Sequence, residues 1–200
     1  MSEPTLQDRF HLIGIGGAGM SVVAELLASR GATVEGSDRE ESAVLEHLRS
    51  VGVRAFVGHE ATHVDPSSVV VVSTAIRDNN PELAIARERG QLVIHRSQAL
   101  ALAASGMRFV GVAGAHGKTT TSGMLAIALA ACGLDPSVAV GGVLPQLGTG
   151  AHLGAGDVFV AEADESDGSF LNYSPAIEIV TNVEPDHLDR YNSREEFEEI

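Results

Sequence analysis

Along the first hundred residues, short apolar runs rich in β-branched side chains alternate with stretches whose apolar positions recur every three to four residues. Runs of the first kind predict strands, and the second kind amphipathic helices. FHLIGI (10–15) reads as a strand and GMSVVAELLASRG (19–31) as a helix closed by Gly31. TVEGSD (33–38) and VRAFVG (53–58) read as strands on either side of a helix, SAVLEHLRSVG (42–52). VVVVSTA (69–75) predicts a buried strand, PELAIARERG (81–90) a helix opened by Pro81, LVIH (92–95) a strand and SQALALAASG (97–106) a helix. This alternation predicts an α/β fold with a mostly parallel sheet covered on both faces.

At Met107 the pattern restarts. RFVGVAG (108–114) leads into TTTSGMLAIALAACG (119–133), a long helix ending at Gly133. Both halves therefore begin strand, glycine loop, helix. A boundary is expected in ASGM, residues 104–107, dividing the chain into 1–106 and 107–200. After the boundary only three strands stand out: FVGVAG, VFVAEAD and AIEIVTNV. SREEFEEI at the end begins a helix, with Ser193 as N-cap and acidic residues in its first turn. Three strands and a helix just begun are too few for a second sheet domain, so the chain is expected to be the N-terminal part of a longer protein.

Composition changes this picture modestly. A formal net charge of −14 argues against broad contact with nucleic acid or an anionic membrane. Phosphate ligands remain open to it, because helix N-termini bind anions through backbone N–H groups. Cys132 is the single cysteine, so no intramolecular disulfide can form; its apolar setting, LAIALAACG, predicts a buried structural thiol. The N-terminus lacks the basic-then-apolar pattern of a signal peptide, and no apolar run reaches the roughly 20 residues that span a bilayer. A cytoplasmic protein is expected.

The two glycine loops carry the candidate chemistry. Gly14, Gly16 and Gly19 fit G-x-G-x-x-G directly after a strand. In that pattern the first glycine allows the turn, the second lets backbone approach a diphosphate, and the third lets helix pack on strand. Asp38 ends the next strand, where such folds place a carboxylate on a ribose hydroxyl. Taken alone this loop suggests NAD, although UDP-sugars also carry a diphosphate. Further on, Gly117, Lys118 and Thr119 match the end of a Walker-type loop, where lysine meets the β- and γ-phosphates and threonine the Mg²⁺. Val112 stands at the pattern's first glycine, and the glycines fall instead at 111, 114 and 117. A dehydrogenase has no use for this second loop. His116 lies inside it, where it either touches phosphate or shapes the turn.

Two acidic strand ends follow. VFVAEADESDGSF carries Glu162, Asp164, Glu165 and Asp167, and IVTNVEPDHLDRY carries Asn182, Glu184, Asp186, His187 and Asp189. Hard oxygen ligands at the C-terminal ends of strands suit Mg²⁺ beside a phosphate. Carboxylates flanking His187 suit a metal-binding imidazole, and an ordinary surface histidine is the alternative. His11, inside the first strand, reads as a core histidine, and His47, His63 and His152 as structural.

Four motifs in order, G14-I-G-G-A-G-M-S21, G114-A-H-G-K-T-T-T121, E162-A-D-E-S-D167 with S169-F-L171, and D186-H-L-D189, resemble the Mur ligases. STAI (73–76) followed by DNNP (78–81) adds to the likeness, and Ala115 replaces the threonine usual before His-Gly-Lys. The resemblance covers nearly the whole chain. It implies a Rossmann-like UDP-sugar domain followed by part of a P-loop ATPase domain, with a further C-terminal domain absent from these residues. It also implies ATP and Mg²⁺ as cofactors, and UDP-N-acetylmuramate and L-alanine as substrates joined through an acyl phosphate. By position, Gly114, Ala115, His116, Gly117, Lys118, Thr119 and Thr120 would hold ATP. Gly14, Gly16, Gly17, Gly19, Met20, Ser21 and Asp38 would hold the UDP-sugar. Thr119, Glu162 and His187 would hold Mg²⁺, with Lys118 and His187 in catalytic roles. The alternatives are a ligase joining the same UDP-sugar to a ready-made tripeptide, an NAD-linked oxidoreductase, and a nucleotide-binding module without catalysis.

Overall fold

In the computed structural model, which describes residues 3–163 and 172–183, the hydrophobic pattern resolves into two sheets, each in its own unit. The units are Met1–Ser105 and Gly106–Ile200.

The first unit runs β1 (Arg9–Ile13), α1 (Ala18–Ser29), β2 (Thr33–Asp38), α2 (Ala43–Ser50), β3 (Arg54–Val57), a 3-10 turn (Ala61–His63), β4 (Val69–Val72), α3 (Pro81–Glu88), β5 (Val93–His95) and α4 (Arg96–Ala103). Its five strands are all parallel, in the order β3-β2-β1-β4-β5. The order reverses at β1, and a ligand crevice forms at such a switch point, outside the strands' carboxyl ends. The helices start and stop on local chemistry. Ser42 caps α2 by accepting from Leu45 N–H at 3.3 Å, and the Asn80 side chain caps α3 from Glu82 and Leu83, with Pro81 in the first turn.

Alternation along β1 sends Phe10 and Leu12 to one face of the sheet and His11 and Ile13 to the other. Phe10, Leu12 and Ile13 are fully buried, as are Leu27 and Leu48 of the helices. On the His11 face, Ile13, Val64, Val70, Leu83 and Ala86 form a core under α3. The same face carries His11, Glu35 and Ser37, all buried, so charge enters the interior beside that core.

The second unit comprises β6 (Arg108–Ala113), α5 (Lys118–Ala131), β7 (Ser137–Leu144), β8 (Thr149–His152), β9 (Val158–Glu162) and β10 (Ile177–Val180). The sheet order is β10-β6-β9-β7-β8, parallel except for the antiparallel β7–β8 pair. Val110, Val158 and Val160 pack with Leu125 and Leu129 of α5. Three strands were expected here, and the described residues contain five. β7 (SVAVGGVL) hides behind two consecutive glycines, and β8 (TGAH) has no β-branched run. Both glycines have structural causes described below.

Cys132 is exposed, against the buried thiol expected from its apolar neighbours. It is the C-cap of α5, beyond the last turn that packs on the sheet, so the helix's apolar stripe no longer covers it. Among the described residues, no helix is long and apolar enough to cross a membrane. The expected helix at 193–200, the carboxylates at 164–167 and 184–189, and His187 lie outside the described residues.

Candidate functional site

Each sheet has a glycine loop at the carboxyl end of an inner strand, β1 in the first and β6 in the second, and each loop opens a helix. In the first unit Gly14 has φ +77°, a left-handed conformation that disfavours any side chain. Its N–H and that of Ile15 donate to the Ser37 carbonyl at 2.8 and 2.9 Å, which ties the loop to β2. Gly16 N–H donates to Asp38 Oδ2 at 2.8 Å. A Cβ on Gly16 would come within 2.8 Å of Leu45 and 2.9 Å of Asp38 Oδ2, so the side chain is excluded by this close approach. Gly17 is the N-cap of α1, with no side-chain cap. The first intrahelical bond is Ser21 N–H to the Gly17 carbonyl at 2.8 Å. The amides of Ala18, Gly19 and Met20 therefore precede the helical ladder and form the positive end of its dipole.

These residues line a cleft of about 590 Å³. Its walls include Gly14, Gly17 and Gly19 of the loop, with Met20 buried behind them. Asp38, Arg39, Glu40, His59 and Arg96 belong to its polar lining. Arg96 lies against Gly19, where its guanidinium occupies the place a Cβ would need. Ser21 turns its hydroxyl back to the Ala18 carbonyl at 3.2 Å and is not part of the lining. Asp38 does line the cleft, and its carboxylate also braces the loop through Gly16 and accepts from Arg39 N–H at 2.7 Å.

Behind the cleft lies a buried charge cluster. His11 is fully buried, with Nε2 3.4 Å from Glu82 and Nδ1 3.9 Å from Glu35. Burial alone would lower the His11 pKa, but the two carboxylates outweigh it and hold the imidazole above its ordinary value. Burial would raise Glu82, yet His11, the Ser37 hydroxyl and His59 bring it below the ordinary carboxylate value. Glu35 is lowered in the same way, against its own burial, by His11 and then Arg9.

In the second unit Gly114 (φ +128°) and Gly117 (φ +87°) both take conformations that favour glycine. A Cβ on Gly114 would also strike Thr181 Oγ1 at 2.2 Å. The loop is held from the end of β10. Thr181 Oγ1 donates toward the His116 and Ala113 carbonyls at 2.6 and 3.2 Å. Asn182 brackets His116, accepting from its N–H at 3.1 Å and donating to its carbonyl at 2.9 Å. His116 thus shapes the turn through its main chain. Lys118 Nζ donates to the Gly114 carbonyl at 2.7 Å, arching over the loop. The first helical bond is Thr121 N–H to the Gly117 carbonyl at 2.9 Å, so the amides of Lys118, Thr119 and Thr120 precede the ladder.

The two glycines of β7 sit against the acidic strand end. Gly141 N–H donates to Glu162 Oε1 at 3.0 Å, and a Cβ on Gly142 would lie 3.2 Å from the Thr119 methyl. This short stretch of β7 therefore touches both the Glu162 carboxylate, through an amide, and the methyl group of Thr119 at the start of α5. A hydroxyl and a carboxylate are hard oxygen donors, the set that fits Mg²⁺.

Sequence patterns located both loops, Lys118, Thr119 and Glu162. They did not single out Arg96, His59 or Ser37, and they did not give Asn182 its role as the loop's clamp. Arg96 and His59 follow strand ends, a position that marks ligand-facing residues in open α/β sheets.

Comparison with known proteins matches these features. The model for "Mur ligase family, catalytic domain" covers residues 9–108, and that for "Mur ligase middle domain" covers residues 112–200. The chain belongs to the Mur ligase family. It is 57% identical over 187 residues to the UDP-N-acetylmuramate–L-alanine ligase of Renibacterium salmoninarum, covering 94% of this chain and 40% of the relative. The corresponding ligase of Streptomyces avermitilis is 56% identical, covering 97% of the chain and 42% of that protein. This Mur ligase chain thus spans about two-fifths of the length of these relatives. Among solved structures, the UDP-N-acetylmuramate–alanine ligase of Thermotoga maritima is similar with a TM-score of 0.85 and 34% identity, covering 96% of this chain and 45% of that one. The UDP-N-acetylmuramate:L-alanyl-γ-D-glutamyl-meso-diaminopimelate ligase of Neisseria meningitides gives 0.87 and 28%, covering 96% and 66%.

Proposed function

We propose that the chain supplies the UDP-sugar and ATP sites of a cytoplasmic ligase that joins L-alanine to the carboxylate of UDP-N-acetylmuramate, in peptidoglycan precursor synthesis. The observation that carries this reading is the pair of loop-helix cradles, at β1–α1 and β6–α5, in a Mur ligase chain. One cradle has the diphosphate fingerprint, and the other adds a lysine and two threonines suited to a reactive triphosphate. The 57% identity to a UDP-N-acetylmuramate–L-alanine ligase supports the choice of substrates.

In this reading, the amides of Ala18, Gly19 and Met20 meet the diphosphate of the UDP-sugar, with Arg96 beside them. Gly14, Gly16 and Gly17 shape that approach, and Asp38 holds the loop. The domain division follows the same lines, with residues 1–106 for the UDP-sugar and 107–200 for ATP. The segment from Gly114 to Thr120 wraps the β- and γ-phosphates, and Lys118 offsets the charge that develops as the γ-phosphoryl group transfers. The muramoyl carboxylate attacks the γ-phosphorus, the bond to the β,γ-bridging oxygen breaks, and ADP leaves. The amine of L-alanine then attacks the acyl phosphate carbon, forming the amide, and phosphate departs with the electron pair while the amine loses its proton. Positioning and charge neutralisation suffice, without a protein nucleophile. Thr119 and Glu162 would hold Mg²⁺ and Glu162 with His187 a second ion, which would neutralise phosphate charge when bound.

Assay of the full-length protein with ATP, UDP-N-acetylmuramate and either L-alanine or a muropeptide tripeptide tests this reading. ADP release dependent on L-alanine is the expected result. Release with the tripeptide alone would assign the recycling reaction instead.

A further inference from the structure

Behind the first cleft, Ser37 connects a buried carboxylate to a histidine in the cleft wall. Ser37 is fully buried at the second-last position of β2. Its hydroxyl makes a short hydrogen bond to Glu82 Oε2 and lies 2.8 Å from His59 Nδ1. Glu82 is itself fully buried and is shared by three histidines. His11 Nε2 and His59 Nδ1 stand 3.4 Å from its Oε2, and His63 Nδ1 stands 3.3 Å from its Oε1. Glu60 N–H also points to Oε1 at 3.3 Å. This surrounding of donors keeps the carboxylate ionised, consistent with its lowered pKa.

An ionised carboxylate only accepts hydrogen bonds, and a serine hydroxyl has one proton to give. Ser37 must donate that proton to Glu82, so toward His59 it can only accept. The proton between them therefore belongs to His59 Nδ1. In the neutral imidazole this leaves a lone pair on Nε2, the second ring nitrogen.

Position in the sheet tells what that nitrogen would meet. The glycine loop follows β1, Asp38 ends β2, and His59 follows β3, which lies outside β2 in the strand order. A nucleotide with its diphosphate at the loop and its ribose near Asp38 extends its base toward β3. His59 and Asp38 line the same cleft. The other charged groups of that lining are Arg39, Glu40 and Arg96.

We propose that Ser37 and Glu82 are positioning residues that fix His59 as its Nδ1–H tautomer, so that Nε2 accepts a hydrogen bond from the base end of the UDP-sugar. An acceptor here meets the N3–H of uracil favourably and opposes the N3 lone pair of cytosine. The proposal rests on the UDP-sugar reading of this cleft and adds to it a source of base selectivity built from buried groups.

The test combines histidine ¹⁵N spectra with nucleotide titrations on the full-length protein. The wild-type spectrum is expected to show His59 protonated on Nδ1, and a His59 carrying its proton on Nε2 alone would overturn the proposal. That spectrum decides even where a variant fails to fold. Ser37→Ala is expected to release the tautomer. It should weaken UDP binding about tenfold, the scale of one lost hydrogen bond in a dry site. It should also narrow the preference for UDP over CDP and place the loss on KM for the UDP-sugar rather than on kcat. Unchanged tautomer and unchanged UDP affinity in Ser37→Ala would overturn it. Wild-type protein that shows the Nδ1–H form but binds no UDP would overturn the ligand assignment, and the base-reading role with it, leaving the hydrogen-bond chain in place.

Discussion

The loop after β1 is tied by main chain to the neighbouring strand and by one carboxylate to its own amide, whereas the loop after β6 is clamped by two side chains from the end of β10. In the first, the Ser37 carbonyl takes two loop amides and Asp38 takes a third. In the second, Thr181 and Asn182 hold the carbonyls of Ala113 and His116, and Lys118 arches onto Gly114. Both arrangements leave the same product, a helix whose first-turn amides face outward. They differ in what is added to it. The first cleft adds Arg96 and a wall of polar residues suited to recognising a ligand that stays intact there. The second adds a lysine, two threonine hydroxyls and the Glu162 carboxylate, groups suited to a phosphate that is transferred.

Exchanging the roles should therefore fail, and single changes should separate them. The largest effect is expected for Lys118→Ala in the full-length protein. Turnover should fall about 10²–10³-fold, the scale of removing one charge-stabilising donor. Near-normal turnover would break the distinction between the loops. Gly114→Ala comes next, since the new methyl meets Thr181 Oγ1 at 2.2 Å in a backbone conformation of φ +128°. Chemical denaturation should show the second unit weakened by about 1–3 kcal/mol, with the first unit's transition unmoved. Asn182→Ala removes both bonds to His116, and a loss of about 1 kcal/mol should appear as a several-fold rise in KM for ATP. A rise in KM for the UDP-sugar instead would blur the comparison.

The smallest effect concerns pH, and it comes from the buried cluster of the first unit. His11 titrates above its ordinary 6.5 in the folded chain, so its contribution is full below that pH and fades as pH rises through the folded value. Glu35 and Glu82 titrate below their ordinary 4.5, so theirs is present above that pH and fades as pH falls through the folded values. The cluster therefore contributes most between 4.5 and 6.5. Melting curves should lose stability on both sides of that window, and His11→Leu should flatten the alkaline limb. A first unit that melts equally across both limbs would contradict the ion pairing.

Much of this was legible in the sequence because it rests on local chemistry. β-Branched runs located eight of the ten strands among the described residues, and glycine spacing located both loops. β7 and β8 escaped because their glycines serve close approaches: Gly150 against the Val140 carbonyl, Gly142 against Thr119. A periodicity argument sees such glycines only as interruptions. The charge cluster escaped for another reason. His11, Glu35, Ser37, His59 and Glu82 come from four separate segments, and only the parallel register that sets His11 beside Glu35, with α3 packed on that face, brings them together. Asn182 as a clamp likewise depends on β10 pairing with β6.

Calorimetric titration of the full-length protein and its Lys118→Ala variant with UDP-N-acetylmuramate, ATP and NAD tests the two-cradle account most directly. The expected result is equal UDP-N-acetylmuramate binding in both proteins, weakened ATP binding in the variant alone, and no binding of NAD. Binding of NAD in place of the UDP-sugar, or loss of UDP-sugar binding in Lys118→Ala, would contradict the assignment of one ligand to each loop.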